Sequence, residues 1–253
     1  MTPPTLPRQV VVQAAISTDI PVSIWTYRDY WDTVVSSFDI RAPHHELLIS
    51  AQATVQTRPA RRPDQPLPWA SLREHAAEGR MLEYLIPTKR TAVSAELAEA
   101  ARERTTGADP LEAAAEIASW VRGRVSYVQG ATEVQTGAQE AWDMGQGVCQ
   151  DMAHLTVALM REIGLPARYV SGYLHPQPGA EPGDAIQGES HAWVEYWDGA
   201  WVACDPTNLA QVGERHVVVA VGRDYGDVPP LKGIYRGAPS RIMRVSVTLT
   251  RLR

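Results

Sequence analysis

Little in this chain can staple it covalently or carry it into a membrane. Its 253 residues include only two cysteines, too few for a disulfide framework. No apolar run approaches the ~18 residues that span a bilayer. The opening MTPPTLPRQVVVQ lacks the basic, apolar, small-residue order of a secretory signal. A cytoplasmic protein with no membrane partner is therefore the expectation. Blocks of like charge are missing too, and the formal net charge is −5, so no nucleic-acid partner is expected. There is no Cys-x-x-Cys pair, no His-x-x-x-His pair and no acidic calcium loop, so neither a metal nor another cofactor is expected. Internal repeats are absent. What remains is an ordinary globular composition, 44% hydrophobic and 21% charged, long enough to build a substantial core.

The first stretch reads as β. Residues 9–12, 20–40 and 45–55 are rich in Val, Ile, Trp, Tyr and Thr at strand-like density. The Pro- and Arg-rich segment 58–67 breaks both structural periods and reads as a linker. It divides an N-terminal β region, 1–57, from a larger domain, 68–253. Helices follow. Ser94 is placed to cap one running to about Arg104. Asp109-Pro110-Leu111-Glu112 combines a cap, a first-turn proline and a glutamate three residues after the cap. Leu111, Ala114, Ala118 and Val121 then recur on one face. A short strand at 125–128 precedes a Gly/Thr/Gln-rich loop. The next helix carries Met152, Leu155, Leu159 and Ile163 at helical spacing and stops at Gly164, with Pro166 beyond. Strands are expected at 167–174, 191–197, 201–205, 215–221 and 241–252, with a surface loop at 176–188.

Cys149 stands where that helix begins, after Gly145-Gln146-Gly147-Val148. The positive end of the helix dipole and the free backbone N–H groups there favour a thiolate. The glycines allow a tight turn and leave room beside the sulfur. A lone cysteine is ordinarily a buried small hydrophobe, and Cys204 fits that role. Residues 190–206 read as two strands joined at Asp198-Gly199. A three-residue loop, Trp197-Asp198-Gly199, pairs Tyr196 with Ala200 and sets His191 directly opposite Asp205, with Cys204 on the other face. Asp205 can then hold one imidazole nitrogen while the other turns to the thiol. Cys149 would be the nucleophile, His191 the acid and base, and Asp205 the orienting carboxylate. Asp151 is expected to serve the first helical turn, and His154 a packed or hydrogen-bonded position.

Gly147-Val148-Cys149-Gln150-Asp151, His191-Ala192-Trp193-Val194-Glu195 and Trp201-Val202-Ala203-Cys204-Asp205-Pro206-Thr207 resemble the three signature blocks of the transglutaminase-like superfamily, in its order of Cys, His, Asp. The passage Gly164-Leu165-Pro166-Ala167-Arg168-Tyr169-Val170-Ser171-Gly172-Tyr173 is similar to the family's helix-to-strand connection. Gly222-Arg223-Asp224-Tyr225-Gly226-Asp227-Val228-Pro229-Pro230 resembles the bacterial branch, as does the region from Asp32 to Leu47. The resemblance implies an α+β fold whose papain-like core packs a nucleophile helix on an antiparallel sheet, after a small N-terminal β region. Asp143 stands where papain-type proteases carry an oxyanion-hole glutamine, so Gln129, Thr136 and Trp142 are candidates for the second donor. Trp193 and Tyr173 are candidates to line an acyl pocket, against core packing as the ordinary role of aromatics at strand spacing. The implied activity is acyl transfer through a thioester, on a peptide, protein or small amide. Water is favoured as acceptor because it needs no dedicated site. An amine acceptor (transamidase or amide synthase) and a silent scaffold of the same fold are the rival readings.

Overall fold

The computed structural model describes residues 1–59, 66–76, 79–238 and 242–253. Four strands open the chain: β1 (Gln9–Thr18), β2 (Trp25–Arg28), β3 (Val34–Ser37) and β4 (Ile49–Thr57). β1 pairs antiparallel with β4 and β2 with β3, so the N-terminal region consists of two ribbons. Most of the expected linker, at 60–65, lies outside the described residues.

Helices α1 (Trp69–Ala76), α2 (Ala95–Arg104) and α3 (Pro110–Arg124) come next. The caps expected from sequence are in place. Ser94 accepts from the Leu97 N–H, and Asp109 and Glu112 form a reciprocal capping box. Ala114, Ala118 and Val121 are buried and Leu111 packs partly buried against the same core. Beyond them lie β5 (Ser126–Tyr127), α4 (Ala138–Met144), β6 (Gln146–Gly147) and α5 (Cys149–Glu162). α4 corrects the expectation of a loop there. Its N-cap, Gly137, makes no side-chain bond, so no capping signal marks it. Packing against α5 and burial of Ala138 and Ala141 hold it instead.

The remaining strands are β7 (Ala167–Leu174), β8 (Ala185–Gly188), β9 (Ser190–Trp197), β10 (Trp201–Cys204), β11 (His216–Gly222) and β12 (Val247–Thr250). β10, β9, β7 and β11 form an antiparallel sheet in that order. β8 pairs with β12, which corrects the end of the expected loop at 176–188, of which 176–184 is irregular; this pairing joins residues far apart in sequence. α5 lies on the central strands β9 and β7, with α2, α3 and α4 packed round it. Every α5 residue from 151 to 161 is buried. Each large apolar side chain buried in this way contributes roughly 1.5–3 kcal/mol. Alternation along β9 divides its side chains between two clusters. Ala192, Val194 and Tyr196 join the core round α5, whereas Trp193 packs with Val170 and Val212. The N-terminal region is tied to the outer strand of this sheet. The buried Gln9 amide donates to the Val218 carbonyl and accepts from the Val218 N–H, both at 2.8 Å.

Candidate active site

The β9–β10 hairpin differs in register from the sequence expectation. Trp197 pairs with Trp201 and Val202 with Tyr196, so the loop is Asp198-Gly199-Ala200. The Asp198 N–H donates to the Ala200 carbonyl at 2.9 Å, and Gly199 takes the left-handed conformation (φ +75°) in mid-loop rather than at its end. The Asp198 carboxylate also accepts from the Leu67 N–H at 2.6 Å, a tertiary bond that helps hold this arrangement. The shift is two residues, so faces are preserved. Asp205 does not sit directly opposite His191; it follows β10 on the same side and is turned back by its own loop. Its Oδ1 accepts from the N–H groups of Thr207 (3.0 Å) and Asn208 (3.2 Å).

From there Asp205 Oδ2 accepts from His191 Nε2 at 2.9 Å, from Asn208 Nδ2 at 2.8 Å and from His216 Nε2 at 3.4 Å. Burial of Asp205 favours its neutral form, but the hydrogen bonds from both histidines and Asn208, with the His191 charge, hold the carboxyl well below the usual carboxylate range. Burial likewise pulls His191 down. Hydrogen bonds to Asp205 and Cys149 and the charges of both outweigh it, raising His191 to about 9. Since Nε2 is engaged by Asp205, Nδ1 is the nitrogen left for the thiol. Cys149 opens α5, and neither Cys149 nor Cys204 is in a disulfide.

Gly147 has a packing role. A Cβ there would lie 2.8 Å from the Asp151 carboxylate, which caps the helix by accepting from the Val148 N–H at 2.8 Å and from Thr132 Oγ1 at 2.6 Å. His154 is fully buried and accepts the Tyr225 N–H at 3.1 Å; burial pushes it down to about 3, so it is neutral. The Gly222–Val228 motif is thereby docked on α5.

The other candidates separate. Gln129 lies at the rim, donating to Glu189 at 3.4 Å and bonded to Tyr127. Thr136 is engaged by the Glu133 N–H at 3.0 Å, and Trp142 packs edge-on against Trp120 with Arg124 above it. Trp193 is fully buried and packs against both His191 and His216, so it does not line an open pocket. Tyr173 is partly buried across from Ser190. Three neighbours had no signal in the sequence. Tyr127 reaches the charge environment of Cys149 because β5 runs parallel to β6, a two-residue pairing without a pattern. Asn208 and His216 arrive through chain reversal after Asp205. The donor atoms of His191, Asp205 and His216 lie within 4.8 Å of one another, a set whose types and spacing would suit a cation. Here the same nitrogens donate their protons to Asp205 instead.

The sequence of residues 98–206 matches the family model of the transglutaminase-like superfamily, and residues 1–56 that of the bacterial transglutaminase-like N-terminal region. An uncharacterised protein of Mycobacterium leprae is 40% identical over 252 residues, covering 100% of this chain and 90% of its own length. The chain belongs to the transglutaminase-like superfamily. A provisionally designated cysteine protease from Cytophaga hutchinsonii is similar in structure, with a TM-score of 0.72 and 25% identity over 90% of this chain and 76% of that one. A protein-glutamine gamma-glutamyltransferase of Pseudomonas aeruginosa is 31% identical over 109 residues, which is 39% of this chain and 16% of that protein. Among the described residues, no helix of this superfamily member is long and apolar enough to cross a membrane.

Proposed function

We propose that this protein is a cysteine-dependent acyl-transfer enzyme that cleaves an amide bond through a thioester on Cys149. The observation that carries the reading is the 2.9 Å hydrogen bond from His191 Nε2 to Asp205, which leaves Nδ1 for Cys149 at the start of α5, with the Cys149 charge among the causes that raise His191. An imidazole raised to about 9 is protonated at neutral pH and offers its charge to a thiolate beside it. The thiolate would attack the amide carbonyl carbon, and backbone N–H groups at the helix start would bind the developing oxyanion. His191 Nδ1–H would protonate the departing amine. The neutral imidazole would then take a proton from water as it attacks the thioester, and the acid would leave as the thiolate–imidazolium pair re-forms. Asp205 orients the ring and stabilises its charged form throughout.

Rapid, stoichiometric alkylation of Cys149 by iodoacetamide, lost in His191→Ala, is the expected outcome. A Cys149 no more reactive than a free thiol would favour the silent scaffold. A second reading has support in the likeness to the Pseudomonas gamma-glutamyltransferase: an amine takes the acyl group in place of water. Incubation with a glutamine peptide and a primary amine separates the two, since free acid marks hydrolysis and an amine-bearing product marks transamidation.

A further inference from the structure

Asp205 receives a donor that no step above uses. His216 opens β11, and its side chain is 2% exposed. Its Nδ1 accepts the Gly213 N–H at 3.3 Å, which leaves the ring proton on Nε2, facing Asp205 Oδ2 at 3.4 Å. β10 and β11 are the two outer strands of the sheet, and Asp205 lies beyond the last paired residue of β10. No ladder hydrogen bond therefore fixes the carboxylate. Its own turn, through Thr207 and Asn208, holds Oδ1. Oδ2, the oxygen that meets His191, is held by Asn208 from the same turn and by His216 from across the sheet. Trp193 packs beside both imidazoles, 6.0 Å from His191 and 5.2 Å from His216, which are 6.1 Å from each other.

We propose that His216 is a positioning residue: its Nε2–H anchors Asp205 Oδ2 to the far strand of the sheet and so aims the carboxylate at His191, extending the Cys149–His191–Asp205 relay by a fourth member. The inference rests on the catalytic reading of that relay. His216 Nε2 donates to Asp205 Oδ2 and not to the Cys149 thiol. It acts through Asp205. A carboxylate free to rotate about its own turn would hold the imidazolium less well, and fewer molecules would carry the reactive thiolate–imidazolium pair.

The test measures the rate of Cys149 alkylation by iodoacetamide at neutral pH in the full chain, for the wild type, His216→Phe, His216→Gln and His191→Ala. His216→Phe keeps a ring but has no donor, and the rate should fall about tenfold, the size expected for losing a hydrogen bond to a charged group. His216→Gln places an amide N–H close to the original Nε2 and should recover most of that loss, which a merely structural role would not require. Should His216→Phe not fold, His216→Asn, whose amide is too short to reach Oδ2, takes its place with the same expectation. A donor-less variant that labels as fast as the wild type, or a Gln variant as slow as Phe, overturns the proposal. A His191→Ala variant that labels like the wild type overturns the catalytic reading itself and this inference with it. Loss in His191→Ala beside an unchanged His216→Phe overturns this inference alone.

Discussion

An imidazole that keeps its proton to about pH 9 while largely buried needs a neighbouring negative charge, and His191 is set between Asp205 and Cys149. The sign of the resulting pH dependence follows from linkage. The folded-state value is raised above the ordinary 6.5, so the stability tied to this proton is whole below 6.5 and is lost as pH rises through about 9. Urea denaturation of the wild type should therefore show a decline across that window. Asp205→Asn removes the charge that holds the imidazolium, and its decline should be markedly flatter; an equal slope in both would contradict the assignment of the shift. Cys149, His191 and Asp205 were legible in the sequence because their types, their order and the motifs around them are local features. His216 and Asn208 were not, because only the chain reversal after Asp205 brings them to its carboxylate. The oxyanion candidates Thr136 and Trp142 are plausible residue types nearby in sequence; the fold has the Thr136 hydroxyl accept from the Glu133 N–H and packs the Trp142 ring against Trp120.

At the scale of elements, what sequence revealed depends on where the determining contacts lie. α2 and α3 announce themselves through Ser94 and Asp109, whose caps close within three residues. α4 has no such cap, and β8 exists through its partner β12. The hairpin is intermediate. Alternation preserved the face of His191 and Asp205, but the bond from Leu67 to Asp198 is a tertiary contact that the loop sequence does not contain. The start of α5 offers a direct test. Gly147→Ala would press a methyl group within 2.8 Å of the Asp151 carboxylate and disturb the cap that sets the Cys149 turn. The expected cost is about 1–3 kcal/mol, as for other over-packed sites, read from the urea midpoint. Alkylation of Cys149 should slow as well. A variant as stable and as reactive as the wild type would show that the turn tolerates a wider packing.

Across the whole molecule, Arg161 near the end of α5 gathers segments remote in sequence. Its guanidinium donates to the carbonyls of Ala167, Ile86 and Arg223 and to Thr91 Oγ1, at 2.8–3.1 Å. Burial pushes it down to about 10, so it remains charged at neutral pH. Arg161→Met, similar in length, would leave these buried acceptors without a donor. A loss of about 3 kcal/mol or more is expected from stranded buried polar groups, measured by chemical denaturation. A loss below about 1 kcal/mol would imply that water reaches the acceptors. Gln9 has a comparable role for the N-terminal ribbons. Gln9→Leu should break both bonds to Val218 while leaving β11 paired to β7, so proteolysis should attack the 1–57 region well before the sheet. A nucleophile helix packed on an antiparallel sheet was implied by the family resemblance, whereas these long-range ties required the fold.

The proposed catalysis requires a covalent bond to one sulfur. Intact-protein and peptide mass spectrometry after acid quenching of the protein with a pool of glutamine and amide peptides measures it directly. An acyl adduct on Cys149, absent from Cys204 and absent in His191→Ala, is the predicted result. Peptide turnover with no adduct on Cys149, or turnover that survives Cys149→Ala, would contradict it.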